Sequence, residues 1–142
     1  MKKRFEQKSA VYLILQQKDK ILLMQRAGSG YMDGFYSVPA GHVEENETLK
    51  QAAIREAKEE INIDIIPEQL DLVLTLHRNS EAGEYIDLFF KVKQYQNTIK
   101  INEPEKCTDL VFSVPSQHLL VPYVKQALQA IADGKNYLES DW

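Results

Sequence analysis

The sequence predicts one α/β domain built from short strands and two helices. Apolar runs of strand length occur at residues 10–15, 21–24, 70–77, 85–92 and 110–114. Residues 48–61 and 122–134 have instead the composition and apolar spacing of helices. The chain has 142 residues, of which 44% are hydrophobic, so it is long enough for one core and short for two. We therefore expect a single domain over residues 1–142.

The first strands predict a hairpin followed by a loop. A polar stretch from Lys18 to Lys20 separates the first two apolar runs, as in a hairpin. Residues 27–34 hold three of the six glycines and predict a loop, after which residues 35–38 predict a short strand.

The later strands are marked by a turn and a proline. The runs at residues 70–77 and 85–92 flank a polar turn that contains glycine, and we expect them to pair antiparallel. The run at residues 110–114 stops at Pro115 and is predicted to be the last strand.

Both helices carry signals at their ends. Thr48 and Gln51 have the spacing of a capping box at the start of the first helix. Asn62 suits the left-handed position at which many helices stop. The second helix has Pro122 where a first turn tolerates proline, and Gly134 follows its end.

Charge and composition exclude several classes of protein. The net charge is −4 and the acidic residues concentrate at positions 44–60, so we expect no long nucleic acid as a partner. A small anion could still bind through divalent cations. The sequence has no apolar stretch near the roughly 18 residues that a membrane span needs, and no apolar signal core, so we expect a cytoplasmic protein that binds no membrane. Cys107 is unique and is expected to be a buried packing residue, with a catalytic thiol as the alternative.

Three carboxylates share one sector of the first predicted helix. At about 100° per residue, Glu56, Glu59 and Glu60 lie within roughly 100° of one another. A separate apolar stripe, able to dock on a sheet, contains Ala53, Ile54, Ala57 and Ile61. A divalent cation such as Mg²⁺ would offset the repulsion of the carboxylates, because it prefers hard oxygen ligands. A solvated acidic face is the alternative.

The residues around this helix resemble the Nudix box. The positions that match between residues 41 and 63 are Gly41, Glu47, Arg55, Glu56, Glu59 and Glu60. One position departs, since Asn62 stands where the family has its last glycine. The resemblance implies a member of the Nudix hydrolase superfamily, with an α/β/α sandwich in which a mixed β-sheet lies between helices.

The resemblance also implies roles for the acidic residues. Glu59 and Glu60 would coordinate Mg²⁺ or Mn²⁺, and Glu56 would either join them or act as general base. The main-chain carbonyl of Ala40 would be a further ligand. A glycine at position 41 permits a tight turn and a close approach of the backbone to the metal.

Four further residues receive expected roles from the same resemblance. Arg55 would orient the carboxylates, and Glu47 would support the metal shell. Arg26 would contact a substrate phosphate, with an ordinary surface arginine as the alternative. Residues 103–107 look similar to a segment in Nudix nucleoside triphosphate diphosphatases, so Glu105 is a candidate metal ligand, or else part of a solvated loop.

The implied activity is hydrolysis of a nucleoside diphosphate linked to another group. We expect a nucleoside triphosphate, split to monophosphate and pyrophosphate, ahead of ADP-ribose or a dinucleotide. The alternatives are a Nudix-like regulator that binds a nucleotide without cutting it and an acidic protein-interaction domain. A homodimer is possible.

The remaining candidate side chains are aromatic residues and histidines. Four aromatic residues could stack on a base: Tyr12, Tyr31, Phe35 and Tyr36. Core packing explains Tyr12 and Phe35 at least as well. We expect the three histidines, His42, His77 and His118, to be structural or on the surface, because none has metal-ligand spacing with another.

Overall fold

The structure is a computed structural model that describes residues 2–142, and in this range it contains two α-helices and nine strands. The helices are α1 (Leu49–Ile61) and α2 (Pro122–Ala132). The strands are β1 (Lys8–Ile14), β2 (Gln16–Gln17), β3 (Lys20–Arg26), β4 (Tyr36–Ser37), β5 (Ala40–His42), β6 (Leu70–Arg78), β7 (Tyr85–Val92), β8 (Cys107–Ser113) and β9 (Tyr137–Ser140). Both predicted helices are confirmed, and they end within two residues of the predicted positions.

A mixed sheet of five strands forms the centre of the molecule, in the order β5-β1-β7-β6-β9. Strands β1 and β7 are parallel, as are β6 and β9. Strands β6 and β7 are antiparallel, which confirms the pairing expected for the runs at residues 70–77 and 85–92.

The two helices lie on opposite faces of this sheet. Alternate residues of β1 point to opposite sides, as the pleat of a strand requires. Tyr12 and Ile14 join the core cluster that contains α2, whereas Val11 and Leu13 join the cluster that contains α1. The fold is therefore the expected α/β/α sandwich with a mixed β-sheet between helices.

Strand β3 belongs to a second sheet. The prediction that residues 10–15 and 21–24 pair with each other as a hairpin is therefore wrong. Strand β3 pairs with β8 along one edge and with the short strands β2 and β4 along the other. The tight turn is present, but it joins β2 to β3, and β1 pairs with β5 and β7. The chain passes from one sheet to the other at Leu15, whose carbonyl accepts a hydrogen bond from the Leu22 N–H at 2.9 Å.

The sequence patterns did not predict β5 or β9. Strand β5 has only three residues and pairs with β1, and β9 has four residues and pairs in parallel with β6. The strand predicted to be the last is thus followed by another one. Over residues 2–142, no helix is long and apolar enough to cross a membrane.

Small side chains let α1 approach the sheet closely. Ala53, Ala57 and Ile61 are fully buried, as the predicted stripe requires, and Ala52 joins them while Ile54 is only partly covered. Burial of Ile61 alone contributes about 1.5–3 kcal/mol. This packing fixes the rotation of α1 and turns its glutamates toward β5.

Candidate active site

The ends of α1 are fixed by local hydrogen bonds that the sequence predicts. The Gln51 N–H donates to Thr48 Oγ1 at 3.0 Å, and the Thr48 N–H donates to Gln51 Oε1 at 2.8 Å, which completes the capping box. Asn62 ends the helix in the left-handed conformation, with φ of 68°. Defined ends hold the register of the acidic side chains between them.

Arg55 is the centre of the charged cluster. Its Nε and Nη2 donate to the two Glu47 oxygens at 2.7 and 2.9 Å, as in a bidentate pair. Its Nη1 donates to Glu56 at 2.7 Å and to Glu59 at 3.3 Å, and Nη2 donates to the His42 carbonyl at 3.0 Å. These five contacts account for all five N–H donors of the guanidinium. Arg55 thus contacts three carboxylates, which is the arrangement that its predicted orienting role requires.

Glu47 acts on the cluster through Arg55. Its hydrogen bond with Arg55, followed by the N–H of Glu44, lowers the pKa of Glu47 to about 2. The Glu44 N–H donates to Glu47 Oε1 at 2.9 Å. Glu47 is therefore ionised at neutral pH and holds Arg55 in place, and its support of a metal shell stays a prediction.

Glu56 and Glu60 are adjacent carboxyls that lie largely away from solvent. Burial raises the pKa of Glu56, and Arg55 opposes this change. Burial and then the charge of Glu56 raise the pKa of Glu60 well above its usual range. The Ala40 N–H donates to Glu60 Oε1 at 3.0 Å, which attaches the pair to β5.

Gly41 provides the space that the Glu56 carboxylate occupies. A Cβ at position 41 would collide with all three atoms of that carboxylate group. The close approach expected of this glycine is thus an approach of the backbone to a proposed metal ligand. Since Gly41 has a negative φ, the requirement is one of space and not of backbone conformation.

These carboxylates have the chemistry of a divalent-cation site. Glu59 lies next to the pair and its side chain is 50% exposed, so it can turn toward a ligand. Two buried carboxyls side by side cannot both ionise at low cost without a cation. In residues 2–142, no three His, Cys, Asp or Glu side chains are arranged to enclose a metal by themselves. Mg²⁺ commonly uses one or two carboxylates together with water and phosphate oxygens, so the residues present fit it.

The loop before β8 brings a second glutamate to the cluster, and it differs from the expected one. The Asn102 N–H donates to the Glu60 carbonyl at 3.0 Å, which attaches this loop to the end of α1. The charge of Glu103 then contributes to the raised pKa of Glu60. Glu105 is exposed, and its main chain packs against Gly28. Glu103 is thus a second candidate ligand from this loop, and the role of Glu105 as a metal ligand stays a prediction.

Arg26 is engaged by its own loop. Its Nε donates to the Tyr31 carbonyl at 3.0 Å, its Nη2 donates to Ser29 Oγ at 3.1 Å, and its guanidinium lies 5.4 Å from the Tyr31 ring centre. The same loop is held by Asp33, which accepts hydrogen bonds from Ser29 and Gly30. The structure thus gives Arg26 a structural role, and its contact with phosphate stays a prediction.

The histidines and Cys107 have protein partners that account for them. His42 hydrogen-bonds Tyr85, His77 hydrogen-bonds Gln7, and His118 hydrogen-bonds Ser113. Cys107 is 3% exposed, and burial raises the pKa of its thiol, which does not suit a nucleophile.

A cavity of about 510 Å³ lies beside the sheet, between the loop after β3, the turn after β6 and the start of α2. Its walls include Tyr31, Arg78 and Tyr123. Arg78 lies between two aromatic rings, 3.8 Å from the Tyr123 centroid and 4.3 Å from that of Tyr85. Its Nε donates at 2.7 Å to Asp87, which is fully buried.

The sequence did not single out Arg78 or its partner Asp87, and of the four residues predicted to stack on a base only Tyr31 lines this cavity. Tyr12 is 3% exposed, stacks on Phe89 and donates to Asp87 at 3.0 Å, so it is a core residue. Arg78 and Asp87 could have been suspected, because each is a charged residue in a strand that is otherwise mostly apolar. Their pairing across β6 and β7 depends on register.

Comparison with known proteins places the chain in a family. The NUDIX domain model matches residues 6–132. The chain is 32% identical to the 8-oxo-dGTP diphosphatase of Proteus vulgaris over 63% of this chain and 79% of that protein. It is 41% identical to the dihydroneopterin triphosphate diphosphatase of Escherichia coli over 44% of this chain and 40% of that protein. A MutT NUDIX hydrolase from Burkholderia pseudomallei superposes with a TM-score of 0.77 and 18% identity, over 88% of this chain and 98% of that one, and shares the fold. The chain therefore belongs to the NUDIX domain family and is a pyrophosphohydrolase.

Proposed function

We propose that the chain hydrolyses a nucleoside triphosphate to the monophosphate and pyrophosphate, with a divalent cation held by the carboxylates of α1. The observation that carries the proposal is the buried pair of Glu56 and Glu60, fixed between Arg55 and Ala40 at the edge of β5. The names of both curated relatives described above specify triphosphate diphosphatases, which favours a triphosphate over ADP-ribose. The single domain over residues 1–142, with its Nudix box at 41–63, is part of the same proposal.

The side chains divide into a cation-binding set and a proton acceptor. We assign Glu59 and Glu60 to hold Mg²⁺ or Mn²⁺, together with the Ala40 carbonyl and Glu103. When bound, the cation supplies Lewis-acid polarisation of the phosphoryl oxygens. Arg55 fixes one oxygen of Glu56 at 2.7 Å, which suits a group that accepts the proton of the attacking water at a defined place.

The cavity beside Arg78 is the proposed location of the base. Its volume of about 510 Å³ is within the usual range for small-molecule sites. Tyr31 is 47% exposed and offers a ring face for stacking. His42 connects the two regions, because its carbonyl accepts from Arg55 at 3.0 Å and its ring contacts Tyr85 at 3.2 Å, next to Arg78. We infer that a nucleotide with its base in the cavity places its polyphosphate on the side of the carboxylates.

The proposal is tested by incubating the protein and Mg²⁺ with nucleoside triphosphates, ADP-ribose and dinucleotides, and by identifying the phosphate products. We expect monophosphate and pyrophosphate from a triphosphate. Glu59→Gln should lower turnover at least about 100-fold while the fold stays intact, because it removes a ligand and also a repelling charge.

The other outcomes are equally specific. Release of AMP from ADP-ribose, with no triphosphate cleaved, would show that the substrate is ADP-ribose and not a triphosphate. Tight nucleotide binding without products would indicate a regulator. The matched control is Glu45→Gln, which removes one exposed carboxylate of the same box region and should leave turnover unchanged.

A further inference from the structure

Three cationic side chains come from the segments considered for the site: Arg55 from α1, Arg26 from the end of β3 and Lys106 from the loop before β8. They differ in how many protein contacts they make. Arg55 donates all five of its N–H groups to protein oxygens. Arg26 donates from Nε and Nη2 to its own loop. The Lys106 ammonium has a long contact of 3.5 Å with Glu103, and its side chain is 63% exposed. Of the three, Lys106 has the most capacity left for a ligand.

The turn that carries Lys106 is held firmly against the site. The Lys106 N–H donates to the Glu103 carbonyl at 2.9 Å, and the Lys106 carbonyl accepts from the Ala27 N–H at 2.9 Å. At the start of the same loop, the Asn102 N–H donates to the Glu60 carbonyl at the end of α1 at 3.0 Å. The backbone beneath Lys106 is therefore fixed on both sides, and only its side chain needs to move.

The Lys106 ammonium is surrounded by negative charges of the loop and of α1. Glu103 is the largest cause of the raised pKa of Lys106, and the charges of Glu105 and Glu56 contribute to it. Lys106 thus contacts Glu103, lies in the negative field of the loop and α1 carboxylates, and keeps its proton at neutral pH.

We propose that Lys106 binds a phosphate oxygen of the substrate's polyphosphate and exchanges its contact with Glu103 for that contact. This inference rests on the proposed function and assigns a phosphate-binding residue to the same site. A polyphosphate carries several negative charges, so it competes well with one carboxylate that is 28% exposed. The exchange also releases Glu103, whose oxygens then become available to a cation. Lysine suits this role as a mobile point charge on a flexible stem.

The test compares Lys106→Met with Lys106→Arg and with Lys100→Met. The Lys100 variant loses the same charge from an exposed position in the segment that leads to this loop. For the triphosphate that the wild type cleaves, we expect Lys106→Met to raise KM about 10- to 100-fold, to change kcat by less than about 3-fold, and to be largely restored by arginine. Calorimetry with inorganic tripolyphosphate and Mg²⁺ should show the same loss of affinity.

The remaining outcomes overturn the proposal. Unchanged KM and unchanged tripolyphosphate affinity in Lys106→Met would exclude the contact. An equal loss in Lys100→Met would show that general attraction, and not a contact, is responsible. If the wild type cleaves no nucleotide, the proposed function fails, whereas the tripolyphosphate comparison still decides the role of Lys106.

Discussion

At the scale of single residues, the site depends on a carboxylate that occupies the place of a missing side chain. The Glu56 carboxylate lies where a Cβ of residue 41 would be, and Arg55 holds it there. The sequence predicted a close approach at Gly41 because glycine permits one. It could not show that Glu56 is the group that approaches, since this contact joins β5 to α1.

Gly41→Ala should displace Glu56 and reduce turnover with a small effect on stability. The colliding atoms are the end of a flexible side chain, so we expect a cost near 1 kcal/mol and a loss of at least about 10-fold in kcat. Turnover and thermal unfolding measure the two effects. In the Glu56→Ala background, Gly41→Ala should have no stability cost, because the colliding carboxylate is absent. A cost that persists in this double variant would point to another cause.

Glu47 should make stability depend on acid pH. Its pKa is lowered to about 2 in the folded protein, from 4.5 as the ordinary value. A lowered pKa stabilises the fold above the unfolded value, and the contribution is lost as pH falls through the interval from about 4.5 to 2.

Urea unfolding of the wild type and Glu47→Gln measures this dependence. The difference in their free energy of unfolding should be constant above about pH 5 and should shrink steadily below pH 4.5. Glu45→Gln, at an exposed neighbouring position, should show no such change. A difference that grows on acidification would contradict the assignment.

At the scale of elements, the helices were predictable because their signals are local. Thr48 and Gln51 are three positions apart and bond each other, and Asn62 ends the helix where the family pattern has glycine. By contrast, β5 and β9 are too short to show an alternating pattern, and each exists because a longer strand offers it an edge.

Asn62 tests the end of α1. Its φ is 68°, and its side chain donates to the Thr98 carbonyl at 3.1 Å. Asn62→Gly gains conformational freedom for this backbone but loses that hydrogen bond, so we expect a change within about 1 kcal/mol. Asn62→Val, which is β-branched in a left-handed position, should destabilise by about 1–3 kcal/mol. Equal stability of the two variants in chemical denaturation would show that this helix end is not constrained.

At the scale of the whole molecule, the site is assembled from segments that are distant in sequence. Strand β5, helix α1 and the loop before β8 meet at Glu60, which bonds Ala40 through its side chain and Asn102 through its carbonyl. The box residues could be assigned from sequence because they lie within one helix and its approach. The contribution of Glu103 could not be predicted in this way, because it depends on how the loop before β8 packs on Gly28 and on the end of α1.

The residues around the cavity could not be predicted either, because they too are brought together by the complete fold. The ion pair of Arg78 with Asp87 forms because β6 and β7 are paired, and Tyr123 reaches it from α2. A register between strands and the docking of a helix are properties of the complete fold, which a local pattern does not specify.

The most direct test of the central claim is the Mg²⁺-dependent turnover of Glu60→Gln with the triphosphate that the wild type cleaves. Glutamine keeps an acceptor for the Ala40 N–H and replaces one of two adjacent carboxyls, which cannot both ionise at low cost without a cation, by a neutral group. Unfolding in the absence of metal should therefore occur at an equal or higher temperature. Turnover should fall at least about 100-fold. Turnover close to that of the wild type would contradict the account.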